Sequence, residues 1–186
     1  MNKTIIFLFI GLLVLTGYFF RNDLGGHSYS KKEIKRQISS ESNSNYNNIL
    51  VTRVVDGDTL VLENKQRVRL IGIDTPEIHE SSKLNRDAQR SGEDIETIKQ
   101  LGRQSYGFTK KLVEGKRVGL EFDVERYDKY KRILAYVYLE DGTFVNARIV
   151  QEGYASLMTY PPNVKYADLF LKLYQEARQN KRGLWK

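Results

Sequence analysis

Residues 51–77, VTRVVDGDTLVLENKQRVRLIGIDTPE, are the stretch that decides the fold of this chain. Three runs within it, residues 51–55, 59–63 and 68–73, are rich in Val, Ile and Leu, and Asp-Gly and Asn-Lys dipeptides separate them. Short apolar runs between such turn dipeptides are typical of β-strands. The stretch therefore predicts three successive strands at the start of a folded domain.

The rest of the domain predicts two more strands and three helices. Apolar positions recur every three or four residues across 95–112, which indicates an amphipathic helix that Gly115 ends. Residues 118–122 and 133–139 read as strands, and 144–152 reads as a short helix. Apolar positions between 164 and 177 mark a last helix that ends near Gly183, and a polar insert lies at 79–91. Because the helices come late and do not alternate with the strands, we predict an α+β barrel rather than a doubly wound sheet.

The composition narrows the classes of function. Lys and Arg number 30 against 23 Asp and Glu, and this formal charge of +7 favours polyanionic partners such as nucleic acid. The 186 residues contain no cysteine, which excludes disulfide scaffolds, zinc–thiolate sites and thiol nucleophiles. Only two histidines are present, His27 and His79, which removes most routes to a Ser–His pair or a histidine-rich metal site.

The first residues have the layout of an export segment. Lys3 precedes an apolar run over residues 5–20, which predicts a hydrophobic export or anchor helix. The run is slightly long for a signal peptide and slightly short for a membrane span of about 20 residues, so cleavage and retention both stay open. We therefore divide the chain into a signal peptide or signal anchor (1–21), a polar flexible tether (22–48) and the folded domain (49–186).

A group of polar residues lies at neighbouring strand ends within this domain. Its members are Asp58, Arg69, Asp74, Thr75 and Glu77. By strict alternation Asp58 shares a face of its strand with Leu60, and Arg69 shares a face with Ile71. A charge in line with core residues either sits at the mouth of the core or is buried with a partner. We therefore expect these side chains to converge.

Such a set suits phosphodiester cleavage. Carboxylate and carbonyl oxygens bind a hard cation such as Ca²⁺ or Mg²⁺. A glutamate can orient or deprotonate water, and a guanidinium group matches two phosphate oxygens at once. The alternative is a pair of ordinary turns, because Asp-Gly and Asp-Thr-Pro are common turn sequences.

A second group of polar residues, several of them basic, lies in ERYDKYKRILAY, residues 125–136. Arg132 comes where this loop enters a strand, after Tyr127 and Tyr130. Such a loop could clamp a second phosphate while a ring stacks on a base. The alternative is a solvated, charged hairpin loop.

Five segments together resemble the staphylococcal nuclease family, also known as the thermonuclease or micrococcal nuclease family. They are VVDGDTL, VRLIGIDTPE, ERYDKYKRILAYVY, VNARIVQEGYA and RGLWK, in the family's order and at compatible spacing. The resemblance covers residues 49–185 and implies a five-stranded OB-fold β-barrel with three helices. This agrees with the strands and helices that the residue pattern predicts.

The resemblance also implies a role for each residue of the site. The ligands of a Ca²⁺ ion would be two carboxylates and one backbone carbonyl, those of Asp58, Asp74 and Thr75. A general base that positions water and two arginines that bind the scissile phosphate would be Glu77, Arg69 and Arg132. Further contacts to nucleic acid would come from Tyr130, Lys131 and Tyr160. The products would carry 5′-hydroxyl and 3′-phosphate ends.

Three positions depart from the family's pattern. Lys131 replaces the glycine that usually precedes the second arginine, and Met158 lies near one of two paired tyrosines. The insert after Glu77 is longer than in short members of the family, which leaves substrate access at this point open.

The sequence as a whole predicts an exported, Ca²⁺-dependent endonuclease that cuts DNA and RNA with little sequence preference. It would be secreted or attached to the outer face of the cell membrane, with the membrane as a partner if the first segment is retained, and no obligate protein partner is inferred. The alternative from another class is a non-catalytic OB module that binds nucleic acid or a surface polymer. The joint presence of the acidic and basic site residues argues against that module.

Overall fold

The computed structural model describes residues 46–186. The predicted export or anchor helix and residues 22–45 of the predicted tether lie outside this range. Within it, no helix combines the length and the apolar character that a membrane crossing needs.

The described part contains seven strands, four α-helices and a short C-terminal 3-10 helix. The strands are β1 (Ile49–Asp56), β2 (Thr59–Leu62), β3 (Arg67–Leu70), β4 (Gly72–Asp74), β5 (Arg117–Glu121), β6 (Ile133–Leu139) and β7 (Ser156–Met158). The helices are α1 (Ser82–Ser91), α2 (Ile95–Val113), α3 (Val145–Gln151) and α4 (Ala167–Gln179), followed by the 3-10 turn Gly183–Trp185.

Five of the strands close into a barrel in the order β1-β2-β3-β6-β5. β3 and β6 run parallel, and the other neighbouring pairs are antiparallel. Parallel neighbours need a long crossover, which the segment between β3 and β6 supplies. The closed barrel with its helices confirms the predicted α+β architecture and is consistent with an OB fold.

The register of β3 against its neighbours decides what faces the barrel interior. Val68 pairs with Ile133, Leu70 pairs with Ala135, and all four side chains are buried. Arg69 alternates with them and therefore points to the outside of the barrel. The prediction that Arg69 shares a face with Ile71 is wrong. The chain turns between β3 and β4, and the alternation of side chains does not continue across that turn.

A small two-stranded sheet of β4 and β7 lies beside the barrel. The single predicted strand 68–73 is divided at Ile71, and Gly72 begins β4 with a φ of 81°. Gly72 pairs with Met158, and Asp74 pairs with Ser156. This pairing fixes the backbone that carries the second predicted aspartate.

Helix α1 occupies the polar insert, where we predicted no helix. Ser81 caps its first turn by accepting a hydrogen bond of 3.1 Å from the Leu84 backbone N–H. Gly92 ends it with a φ of 74°. The described chain therefore has four α-helices where the sequence predicted three.

Helix α2 holds the turn between β1 and β2 in place. The buried Thr109 hydroxyl donates to the Gly57 carbonyl at 2.8 Å, and the buried Ser105 hydroxyl donates to the Tyr154 carbonyl at 2.8 Å. Both hydroxyls lie on the face of α2 that packs on the barrel, so they satisfy carbonyls that would otherwise be buried without partners.

Folded contacts begin before β1. Tyr46, which the sequence placed at the end of the tether, packs edge-on against Phe122 with ring centroids 5.6 Å apart. Its hydroxyl donates to the Gln66 side chain at 2.7 Å.

Candidate active site

One pocket of about 730 Å³ gathers most of the residues that the sequence singled out. We call it the acidic pocket. Seven of the nine predicted site residues line it: Asp58, Arg69, Asp74, Glu77, Tyr130, Arg132 and Tyr160. Thr75 and Lys131 do not line it. The acidic and basic groups thus converge as predicted, at the outside of β3 and the start of β6.

Arg69 is shared between the two predicted metal-binding aspartates. Its Nη1 lies 2.8 Å from Asp58 Oδ2, and its Nη2 lies 2.9 Å from Asp74 Oδ1. Nη1 also donates to the Ile73 carbonyl at 2.9 Å. The guanidinium therefore compensates two negative charges and links β3 to β4 and to the turn that precedes β2.

The Asp58 carboxylate is held in place by threonines. It is buried, and its Oδ2 accepts the Thr75 backbone N–H at 2.9 Å and the Thr75 hydroxyl at 3.2 Å. Its Oδ1 accepts the Thr59 hydroxyl at 3.1 Å. Thr75 is buried behind this carboxylate, so its N–H and hydroxyl serve to orient Asp58.

Asp56 also lines the acidic pocket, and the sequence pattern indicated only a turn at this position. Burial and the neighbouring charge of Asp58 raise the pKa of Asp56 to about 7. Its Oδ1 also accepts the Asp58 backbone N–H at 3.2 Å. The signal in the sequence was the second aspartate of the Asp-Gly-Asp turn, because two carboxylates at that spacing perturb each other.

Glu77 lies at the wall of the pocket, and its backbone packs tightly against α2. A Cβ atom built on Gly102 would lie 2.6 Å from the Glu77 carbonyl oxygen and 2.8 Å from the Pro76 carbonyl oxygen. Glycine at position 102 is thus what permits the helix to approach this segment closely.

Arg132 is positioned by Asp128, a residue that was not among the predicted site residues. The Arg132 Nε lies 2.7 Å from Asp128 Oδ2, and Asp128 Oδ1 accepts the Arg132 and Tyr130 backbone N–H groups at 2.9 Å and 2.8 Å. Burial opposes ionisation of Asp128, but these hydrogen bonds and the Arg132 charge outweigh it and lower the pKa of Asp128. The four-residue spacing of an acid and a base in YDKYKR is the signal that could have revealed the pair.

Two exposed tyrosine rings lie at the acidic pocket. Tyr130 and Tyr160 are 68% and 70% exposed, and the Arg132 guanidinium lies 5.5 Å from the Tyr130 ring centroid. Lys131 is exposed outside the pocket with a φ of 62°, a left-handed conformation that glycine adopts without strain. This explains why a glycine suits that position in the pattern that the chain resembles.

The donor groups suit a hard cation. The pocket offers aspartate and glutamate oxygens, and neither cysteine nor histidine lines it. Burial first, and the neighbouring charge of Asp58 second, raise the pKa of Asp56, and a cation bound nearby would lower it again. Between residues 46 and 186, no three Asp, Glu, His or Cys side chains cluster closely enough to hold an ion by side chains alone. The predicted ligand set needs only two carboxylates, with a backbone carbonyl as the third ligand.

Comparisons with known proteins agree with this geometry. The family model described as "Staphylococcal nuclease homologue" matches residues 67–186, more than half of the chain. A thermonuclease of Staphylococcus intermedius is 41% identical over 139 residues, which are 73% of this chain and 74% of that protein. A thermonuclease of Staphylococcus hyicus is 34% identical over 147 residues, 77% of this chain and 79% of that protein. Endonuclease YncB of Bacillus subtilis (strain 168) is 36% identical over 169 residues, 88% of this chain and 74% of that protein. With its barrel, its pocket and these relatives, the chain belongs to the staphylococcal nuclease family.

Proposed function

We propose that this protein is a Ca²⁺-dependent endonuclease that hydrolyses DNA and RNA with little sequence preference and leaves 3′-phosphate ends. The family and its relatives named thermonuclease and endonuclease make the chain a nuclease, which is a phosphodiesterase. The observation that carries the proposal is the convergence of Asp58, Asp74, Glu77, Arg69 and Arg132 on one pocket.

The two arginines divide the work on the phosphate. The Arg132 Nε forms an ion pair with Asp128, and this contact orients the guanidinium plane. A guanidinium so oriented can donate to non-bridging phosphate oxygens and stabilise the charge that develops during attack. The terminal nitrogens of Arg69 already contact Asp58 and Asp74, so a phosphate bound by Arg69 would share the guanidinium with these aspartates.

Glu77 is the group that acts on water. It lines the same pocket as both arginines, which supports its assignment to a water that attacks a phosphate bound there. A carboxylate in this position removes a proton from water as the water oxygen bonds to phosphorus, the P–O5′ bond breaks, and the 5′ oxygen takes up a proton from solvent and leaves as a hydroxyl. Asp58 and Asp74 would hold Ca²⁺ together with the Thr75 carbonyl. Bound there, the ion would polarise the phosphate and lower the pKa of water.

Substrate recognition in this proposal runs through phosphates and base faces. The exposed rings of Tyr130 and Tyr160 at the pocket offer stacking surfaces, and every base has a face to stack. Phosphate contacts carry no sequence information. Low sequence preference follows, together with an affinity that falls as salt rises.

The deciding experiment is cleavage of plasmid DNA and of RNA by the purified protein with Ca²⁺ and with a chelator. We expect cutting only with Ca²⁺, and a loss of about 10²–10⁴-fold in the Glu77→Gln variant. Glutamine keeps the size of the side chain, and circular dichroism checks that the variant folds. Cleavage in chelator refutes the metal dependence, wild-type rates in Glu77→Gln remove that residue from its role, and binding without cleavage favours a non-catalytic module.

We also propose that the protein acts outside the cytoplasm, as a secreted protein or one attached to the outer face of the membrane. The support is the lysine followed by the apolar run of residues 5–20. Fractionation of cells, with mass spectrometry of the mature N-terminus, tests it. A full-length protein found in the cytoplasm refutes the proposal.

A further inference from the structure

The polar insert that carries α1 forms part of the acidic pocket. Ser81, Ser82 and Arg86 all line it. Ser82 and Arg86 are four residues apart and therefore lie on one face of the helix. Leu84, two residues from each, is only 1% exposed and anchors α1 from another face. The helix thus places a serine and an arginine at the site while Leu84 is buried.

The insert is also fixed to the body of the domain. Helix α1 packs against α2, and Lys99 of α2 lies 3.3 Å from Glu80, just before α1. The capping hydroxyl of Ser81 and the left-handed Gly92 define both ends of the helix. Arg86 therefore projects from a folded element and not from an open loop.

Arg86 differs from the other two arginines of the pocket in the partners of its guanidinium group. Arg69 is shared between two aspartates, and Arg132 is paired with Asp128. The structure gives Arg86 a hydrogen bond of 3.5 Å to the Ser82 hydroxyl, and within residues 46–186 it shows no carboxylate as its ion-pair partner. An exposed guanidinium without such a partner at the rim of a nuclease pocket matches a phosphate oxygen.

We propose that Arg86 binds a backbone phosphate of the nucleic acid next to the one that is cleaved, so that α1 extends the substrate track beyond the acidic pocket. This inference rests on the proposed function, because it presumes a polynucleotide in the pocket. It makes Arg86 a substrate-binding residue that favours long chains over a single phosphodiester. In this proposal, the long insert after Glu77 supplies a contact to the substrate.

The test compares two substrates in the full-length protein: a single-stranded DNA of 20 nucleotides and an aryl phosphodiester of thymidine. Arg86→Ala should raise the ratio of the KM values, DNA over ester, by about fivefold to tenfold, because only the DNA carries a neighbouring phosphate. Arg86→Lys should recover part of the loss through its charge. The matched control is Arg103→Ala on α2, an exposed arginine paired with Glu96 that does not line the pocket.

A second readout needs no catalysis. Binding of the same DNA is followed by fluorescence anisotropy in chelator at several salt concentrations. Arg86→Ala should reduce the slope of log affinity against log salt by about one, as expected for one lost phosphate contact. If this slope falls while the wild-type protein cuts neither substrate, the binding role of Arg86 stands and the nuclease function fails. If Arg86→Ala and Arg103→Ala behave alike in the KM ratio and the slope, the proposal is overturned.

Discussion

Helix α2 contains two glycines, Gly102 and Gly107. Their substitution by alanine should have different effects on stability and on the rate of cleavage. An added Cβ at Gly102 would meet the Glu77 carbonyl oxygen at 2.6 Å, whereas at Gly107 it would meet nothing within 4 Å. Both residues lie inside the helix, so both substitutions gain the same helix propensity of about 1 kcal/mol. Only Gly102→Ala pushes on the backbone of the proposed general base.

The geometry sets the magnitude. Real Cβ atoms essentially never come closer than 3.0 Å, so the Glu77 carbonyl or the helix must move by roughly 0.4 Å. Overpacking of this kind costs about 1–3 kcal/mol, which cancels or exceeds the gain in propensity. Since a misplacement of about 1 Å can cost about 10²-fold in rate, we expect kcat to fall by on the order of tenfold in Gly102→Ala.

Urea unfolding and DNA cleavage measure the two effects in the same pair of variants. Gly107→Ala should unfold at higher urea and cut at the wild-type rate. Gly102→Ala should lose that stability gain and cut more slowly, with a smaller change in KM than in kcat. Wild-type kcat in a folded Gly102→Ala protein would refute the view that this contact positions Glu77.

Two further predictions concern the loop that carries Arg132. Lys131→Gly should raise the free energy of unfolding by about 1 kcal/mol, because the φ of 62° strains a residue with a Cβ. Equal urea midpoints for the variant and the wild type would contradict this. Asp128→Asn should destabilise the protein at pH 6 and lower kcat, because the Arg132 guanidinium loses its charged partner. The pKa of Asp128 is lowered on folding, so its stabilising contribution is present above the unfolded value of 3.8 and is lost as pH falls through the lower folded value. The stability gap between wild type and Asp128→Asn, measured by urea unfolding, should therefore shrink between pH 6 and pH 3, and a constant gap would rule out the carboxylate as its source.

The barrel strands were predictable because their signals are local. Alternating apolar residues and turn dipeptides mark the ends of each strand within a few residues. The division of the predicted strand at Ile71 was not predictable in this way, since β4 exists through its pairing with β7, and Gly72 meets Met158 far along the chain. Helix α1 was missed because its residues are mostly polar, and Leu84 alone among its described side chains is buried.

The approach of Arg132 to Arg69 depended on a non-local fact, the parallel pairing of β3 with β6. That register sets Arg69 beside Leu134, and Arg132 lies in the loop directly before the first residue of β6. Local pattern predicted that each arginine stands near a strand, but it did not predict which strands are neighbours. The resemblance to a known family supplied that neighbourhood, and the barrel order explains it physically.

The contacts of Arg69 and Arg132 decide which variants can separate an effect on catalysis from an effect on folding. Arg69 joins Asp58 and Asp74, so its removal leaves two carboxylates without their shared cation and disturbs the fold and the reaction together. Lysine does not repair this, because one ammonium group does not replace a fork that reaches two carboxylates. Arg132 contacts a single carboxylate at the pocket edge, through its Nε. Loss of activity in an Arg132 variant that keeps its stability therefore speaks for a role at the phosphate, whereas the same loss in an Arg69 variant has two sources.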